Sequence, residues 1–197
     1  MSKVGLYFGS FNPVHIGHMA IAGYMLEFAG IDEIWFVVSP HNPLKKKETL
    51  LDNYQRLYMA NLATGKNDRI KASDIEFRLP VPSYTIDTIA YLGEKHPKHR
   101  FSLVMGEDNL YTLHRWKNAC ELIKKCPVIV YPRPYTNKPS NPLLDQLLSM
   151  AEISIVKAPL MDISGTFIRN GIKKGKDMSY FLPAAVWKYI TEMHFYK

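Results

Sequence analysis

Apolar residues along this chain cluster in short, unbroken runs. They cover residues 4–8, 34–38, 101–105, 128–131 and 153–156, each of strand length and rich in β-branched or aromatic side chains. A half-buried strand alternates apolar and polar positions, whereas a continuous run marks a strand covered on both faces, as in a parallel sheet. Between these runs the apolar spacing becomes helical. Met19, Ala22, Leu26 and Ala29 form one stripe, and Leu51, Tyr54, Tyr58 and Leu62 a second. Trp116, Ala119, Cys120 and Ile123 form a third, and Val186, Tyr189, Ile190 and Met193 a fourth. Strand–helix alternation of this kind predicts an α/β fold, a Rossmann-like doubly wound parallel sheet with helices on both faces. Ligands of such sheets bind at the carboxyl ends of the strands, near the switch in strand order, so chemistry is to be sought just after each strand. The proline-rich stretch 132–142 reads as a loop inside the fold, because strand and helix patterns continue after it.

The length of 197 residues predicts one domain spanning residues 1–197. Apolar residues make up 47% and charged residues 22%, which excludes a largely disordered chain. No apolar run approaches the roughly 20 residues that span a bilayer. Lys3 precedes a short apolar run that stops at Gly9, unlike a secretory signal. Two cysteines, Cys120 and Cys126, make neither a disulfide framework nor a four-cysteine zinc site, and a cytoplasmic location is expected. With 25 basic against 18 acidic residues the net charge is +7. That favours polyanionic partners: nucleic acid, an anionic membrane or phosphorylated small molecules. Charge alone does not choose among them.

The first apolar run is followed by Gly9-Ser10-Phe11-Asn12-Pro13-Val14-His15-Ile16-Gly17-His18 and then a helical pattern. Gly9 lets the backbone turn tightly or approach a ligand. The turn delivers free N–H groups at a helix N-terminus, an anion site by geometry and by dipole. His15 and His18, three apart, can both face one phosphate group. The stretch is neither a Walker loop nor the dinucleotide glycine fingerprint. Two histidines at a phosphate site suit nucleotidyl transfer, each donating to phosphoryl oxygens as charge develops. The alternatives are a metal pair, for which neighbouring ligands are lacking, and histidines that only support the fold.

Near the other end lies Asp162-Ile163-Ser164-Gly165-Thr166-Phe167-Ile168-Arg169-Asn170-Gly171. Ser164 is placed to cap a short helix that Gly171 ends. Ser164, Thr166 and the helix N–H groups offer neutral donors and Arg169 a charged fork, so the anion-site logic is used a second time. The alternative is an ordinary capped helix with a surface arginine.

The stretch from Gly9 to His18 resembles the signature of the HIGH-motif nucleotidylyltransferase superfamily, with His15-Ile16-Gly17-His18 spelling it literally. The second stretch is similar to that superfamily's Ile-Ser-Ser-Thr-x-Ile-Arg signature, with Gly165 in place of the second serine. The two occur in the expected order. The resemblance implies that Gly9, Ser10, Phe11, His15, His18, Gly106, Asp108, Ile163, Ser164, Thr166 and Arg169 bind ATP, with His15, His18 and Arg169 catalytic.

Three further features bear on the acceptor. In Pro82-Ser83-Tyr84-Thr85-Ile86-Asp87-Thr88, Ser83 or Thr85 is placed to cap a helix running to about Leu92, whose N–H groups suit a small carboxylate. Met105-Gly106-Glu107-Asp108 directly follows a buried run, where Gly106 permits close approach of a ligand. Trp116 offers a flat ring for stacking, the alternative being core packing. Together these resemble the nicotinate-nucleotide adenylyltransferase family, as does the loop Ser39-Pro40-His41-Asn42-Pro43-Leu44-Lys45. The resemblance implies that Ser83, Tyr84, Thr85 and Trp116 hold nicotinate mononucleotide. Lys45 or Lys46 would add charge from the loop, the alternative being a solvated charge run. It further implies ATP and nicotinate mononucleotide as partners, no nucleic acid and no membrane, with homo-oligomerisation left open. Magnesium would arrive with ATP, no dedicated metal site being expected. Nicotinamide mononucleotide or phosphopantetheine is the nearest alternative acceptor, and a basic nucleic-acid-binding module the distant alternative. An aminoacyl-tRNA synthetase is disfavoured because its lysine-rich second signature is missing.

Overall fold

The computed structural model describes residues 1–40 and 50–197. In chain order the elements are β1 (Ser2–Gly9), α1 (Ile16–Phe28), β2 (Glu33–Val38), α2 (Asn53–Thr64), β3 (Ile70–Ser73), α3 (Thr85–Lys95) and β4 (His99–Gly106). There follow the single turn α4 (Glu107–Leu110), α5 (Ala119–Lys125), β5 (Val128–Tyr131), α6 (Pro142–Ser149), β6 (Ile153–Ile155), α7 (Gly165–Lys173) and α8 (Ala184–Glu192). The six strands form one sheet in the order β3-β2-β1-β4-β5-β6, and every pairing is parallel. Strand order reverses between β1 and β4, so the crevice at their carboxyl ends, Gly9 and Gly106, is where this fold binds ligands.

Continuous apolar runs arise because each central strand supplies two cores. Val4 and Leu6 of β1 join Phe101, Leu103 and Met105 of β4 beneath α3, α5 and α6. Tyr7 of β1 and Val104 of β4 face the other way, into the core built with α1, α2, α7 and α8. Two buried faces per strand leave no polar alternation to read.

The doubly wound fold is as expected, with local corrections. Strand β3 was not expected: only four residues long at the sheet edge, it buries Ile70 alone. The expected stripe on α2 is wrong. Tyr54 and Tyr58 are exposed, and the buried face carries Arg56, Met59 and Ala60. Trp116 does not begin α5; it follows a 3-10 turn over Leu113–Arg115, and Cys120 is exposed. The proline-rich loop ends in α6, an unexpected helix that Pro142 opens and the Asn141 side chain caps through Leu143 and Leu144 N–H groups. No helix among the described residues is long and apolar enough to cross a membrane.

Candidate active site

The turn after β1 is shaped by Phe11. Its ring is buried and stacks on Phe36 with centroids 5.0 Å apart. It passes so near Gly9 that a Cβ there would lie 3.0 Å from it. Phe11 itself holds φ 44, a left-handed conformation that costs a bulky residue of order 1 kcal/mol or more. Just after it, Asn12, Pro13 and His15 line a cleft of about 370 Å³.

His15 is the extended residue before α1, and His18 sits in the first turn. Their rings stack, centroids 3.7 Å apart and planes at 27°. The His15 backbone N–H donates to His18 Nδ1 at 3.2 Å. With Nδ1 accepting, a neutral His18 carries its proton on Nε2. Burial, and secondarily the charge of Arg133, lowers the His15 pKa to about 4, so this imidazole is neutral at pH 7. Both rings line the cleft.

Across it stands the start of α7. Ser164 caps the helix, its Oγ accepting from the Phe167 N–H at 3.2 Å, which leaves the hydroxyl proton to donate. Arg169 donates through Nη1 to the Asn12 carbonyl at 2.7 Å and through Nη2 to Thr166 Oγ1 at 3.2 Å. A Cβ at Gly165 would lie 2.8 Å from that carbonyl, so a glycine suits the close approach of α7 to the first turn. Ile163, Ser164, Gly165, Thr166 and Arg169 all line the cleft that holds Gly9, Ser10, Phe11, His15 and His18. Gly171 does not end α7. The helix runs to Lys173 and closes on Gly175, φ 68, whose N–H reaches the Ile172 carbonyl while Lys176 N–H reaches that of Gly171. At position 171 a Cβ would collide with the Met178 thioether.

At the end of β4, a Cβ at Gly106 would collide with this chain's own Asp108 and Arg133 side chains, so a glycine lets both pack against the strand end. Asp108 and Asn109 are in the cleft lining, and Asp108 pairs with Arg133 at 3.6 Å. Trp116 is half-buried at the rim of the same cleft, and its indole N–H has no partner among the described residues. Ser83, Tyr84 and Thr85 lie at the start of α3, outside that lining, and neither Ser83 nor Thr85 caps the helix; Tyr84 occupies the cap position. Lys117, next to Trp116 in the chain, sits 4.5 Å over the Tyr84 ring and bonds Asp87 at 3.0 Å, tying the segment after the 3-10 turn to the start of α3. Lys45 and Lys46 fall outside the described residues.

Sequence reasoning missed Asn12, Arg56 and Arg133. Arg133 stands just past the end of β5, so its place after a buried strand was the available signal. Arg56 is fully buried and spends its donors on the carbonyls of Leu51, Ser10, Ser39 and Pro40 and on Asn53 Oδ1. It ties the turn after β1 to the start of the loop after β2. Among the described residues no three of His, Cys, Asp or Glu gather as a metal site.

Two helix starts lining one crevice at the strand switch, with donors on both sides, make a site suited to anionic ligands. The cytidylyltransferase-like family model matches residues 6–171, which span both helix starts. Full-length relatives narrow the class. A Flavobacterium johnsoniae protein named a "Probable nicotinate-nucleotide adenylyltransferase" is 54% identical, the match covering 99% of each chain. A Cytophaga hutchinsonii protein of the same name is 43% identical over 98% of each. The chain belongs to the nicotinate-nucleotide adenylyltransferase family. Its fold is also that of the Plasmodium falciparum nicotinic acid mononucleotide adenylyltransferase, solved as a complex with NaAD, at TM-score 0.77 and 18% identity, covering 100% of this chain and 98% of that one.

Proposed function

We propose that this chain transfers the adenylyl group of ATP to nicotinate mononucleotide, giving deamido-NAD and pyrophosphate in NAD biosynthesis. The observation that carries the reading is the single cleft bounded by the starts of α1 and α7. The mononucleotide phosphate, with a second pKa near ~6, is ionised at neutral pH and needs no general base. Direct in-line attack on the α-phosphorus expels pyrophosphate, and no covalent enzyme intermediate is required. Catalysis then consists of holding two polyanions in line and offsetting their repulsion.

In this scheme His18 donates from Nε2 to the α-phosphate region as charge develops, and His15, neutral and stacked against it, donates beside it. The N–H groups that open α7, with Ser164, Thr166 and Arg169, hold the β- and γ-phosphates. Gly9, Ser10, Phe11, Asp108 and Ile163 line the nucleotide's side of the cleft. Trp116 stacks on the pyridine ring, and the chain around Tyr84 and Thr85 takes the nicotinate carboxylate at the α3 start. Magnesium enters with ATP as part of the substrate. The lining offers mainly N–H and hydroxyl donors, and its carboxylate Asp108 is engaged by Arg133, so phosphates and water are the fitting ligands. One sheet supplying both cores supports a single domain over residues 1–197, and the substrates fit a cytoplasmic enzyme that binds neither nucleic acid nor membrane.

The test is pyrophosphate release from ATP with each acceptor supplied in turn. Release with nicotinate mononucleotide, well above that with nicotinamide mononucleotide or phosphopantetheine, is expected. Equal or greater release with either of the others would overturn the acceptor assignment.

A further inference from the structure

The segment after α8 turns back into the molecule and reaches the turn after β1. Helix α8 ends with His194 in the left-handed region, φ 54. The His194 N–H reaches the Thr191 carbonyl at 3.3 Å and the Phe195 N–H reaches that of Ile190 at 3.1 Å. This paired arrangement ordinarily takes glycine at the turning residue. Phe195 then packs edge-on against Tyr189, 5.5 Å between centroids. Tyr196, itself at φ 66, is carried inward until its hydroxyl donates to Asn12 Oδ1 at 2.7 Å.

Asn12 is the shared point of several ties. Its carbonyl receives Arg169 at 2.7 Å, and its Oδ1 also receives the Leu51 N–H, at the longer distance of 3.4 Å. Arg56 and Arg169 both act electrostatically on the Tyr196 phenol, but burial dominates and holds its pKa well above the ordinary value. The hydroxyl therefore keeps its proton and remains a donor. Two left-handed residues in the last four, each unfavourable for a side chain bearing a Cβ, are maintained by a segment whose polar end serves Asn12.

We propose that Tyr196 is a positioning residue for the triphosphate end of the cleft: it fixes Asn12, and through the Asn12 carbonyl it fixes the Arg169 guanidinium. The inference rests on the reading of α7 as a triphosphate site. Calorimetric titration with ATP and magnesium tests it on four full-length proteins: the wild type, Tyr196→Phe, Asn12→Ala and the double variant. Tyr196→Phe keeps the ring and removes one hydrogen bond, so ATP affinity should fall roughly three- to ten-fold. Affinity for nicotinate mononucleotide should stay unchanged. In the Asn12→Ala background the tyrosine substitution should have no further effect. Wild-type ATP affinity in Tyr196→Phe would overturn the proposal. So would an equal further loss in the Asn12→Ala background, since the hydroxyl would then act independently of Asn12. A wild-type protein that binds no ATP would overturn both this inference and the proposed function. Coupled ATP binding without pyrophosphate release would leave the positioning role standing and remove the reaction.

Discussion

Acid should unfold this protein in part through His15. The ring is only 4% exposed, and burial followed by the Arg133 charge pulls its pKa from 6.5 to about 4. As pH falls, the unfolded chain takes up a proton near 6.5 while the folded chain resists until near 4, so acid favours the unfolded state. The contribution to stability is complete above about pH 6.5 and is lost as pH falls through the folded value of about 4. At about 1.4 kcal/mol per pKa unit, the gap amounts to about 3.5 kcal/mol, of which about 2.5 kcal/mol should be gone near pH 4.5. Urea unfolding near pH 7.5 and near pH 4.5, on the wild type and on His15→Gln, isolates this share because other titrating groups cancel in the difference. The wild type should lose about 2.5 kcal/mol more than the variant over that interval. Identical pH dependence in the two proteins would refute the assignment of His15 as a neutral buried imidazole.

His18→Ala should lower kcat by roughly 10²–10³, with modest change in either KM, because a donor aimed at developing charge acts mainly in the transition state; wild-type turnover would remove His18 from catalysis. Trp116→Ala should raise the KM for nicotinate mononucleotide with little change in the KM for ATP, and an unchanged acceptor KM would return the residue to the core. Arg56→Met strands four carbonyls that the buried guanidinium now satisfies. It should cost about 3–5 kcal/mol in urea unfolding, and a loss below about 1 kcal/mol would mean the loops hold themselves.

The sheet was legible because burial on both faces writes itself as unbroken β-branched runs. Strand β3 was not, since a four-residue edge strand with one buried side chain leaves almost no pattern. The α2 stripe misled for a physical reason. Sequence periodicity counts arginine as polar, yet Arg56 is the buried residue and the two tyrosines face solvent. Ser164 capping was readable, because a serine three residues before its N–H partner is a local signal. The end of α7 was misplaced because two glycines stood near it. Gly171 answers to Met178, a tertiary neighbour, while Gly175 carries the positive φ. Asn12 was the least accessible of all. Its partners Arg169 and Tyr196 lie 157 and 184 residues away, and no spacing rule spans such separations.

A crystal structure with a non-hydrolysable ATP analogue tests whether the starts of α1 and α7 hold one triphosphate between them. Phosphate oxygens are expected within hydrogen-bond reach of His18 Nε2 on one side and of the N–H groups at Gly165 and Thr166 on the other. A triphosphate lying against one helix alone, or outside the cleft, would contradict that arrangement.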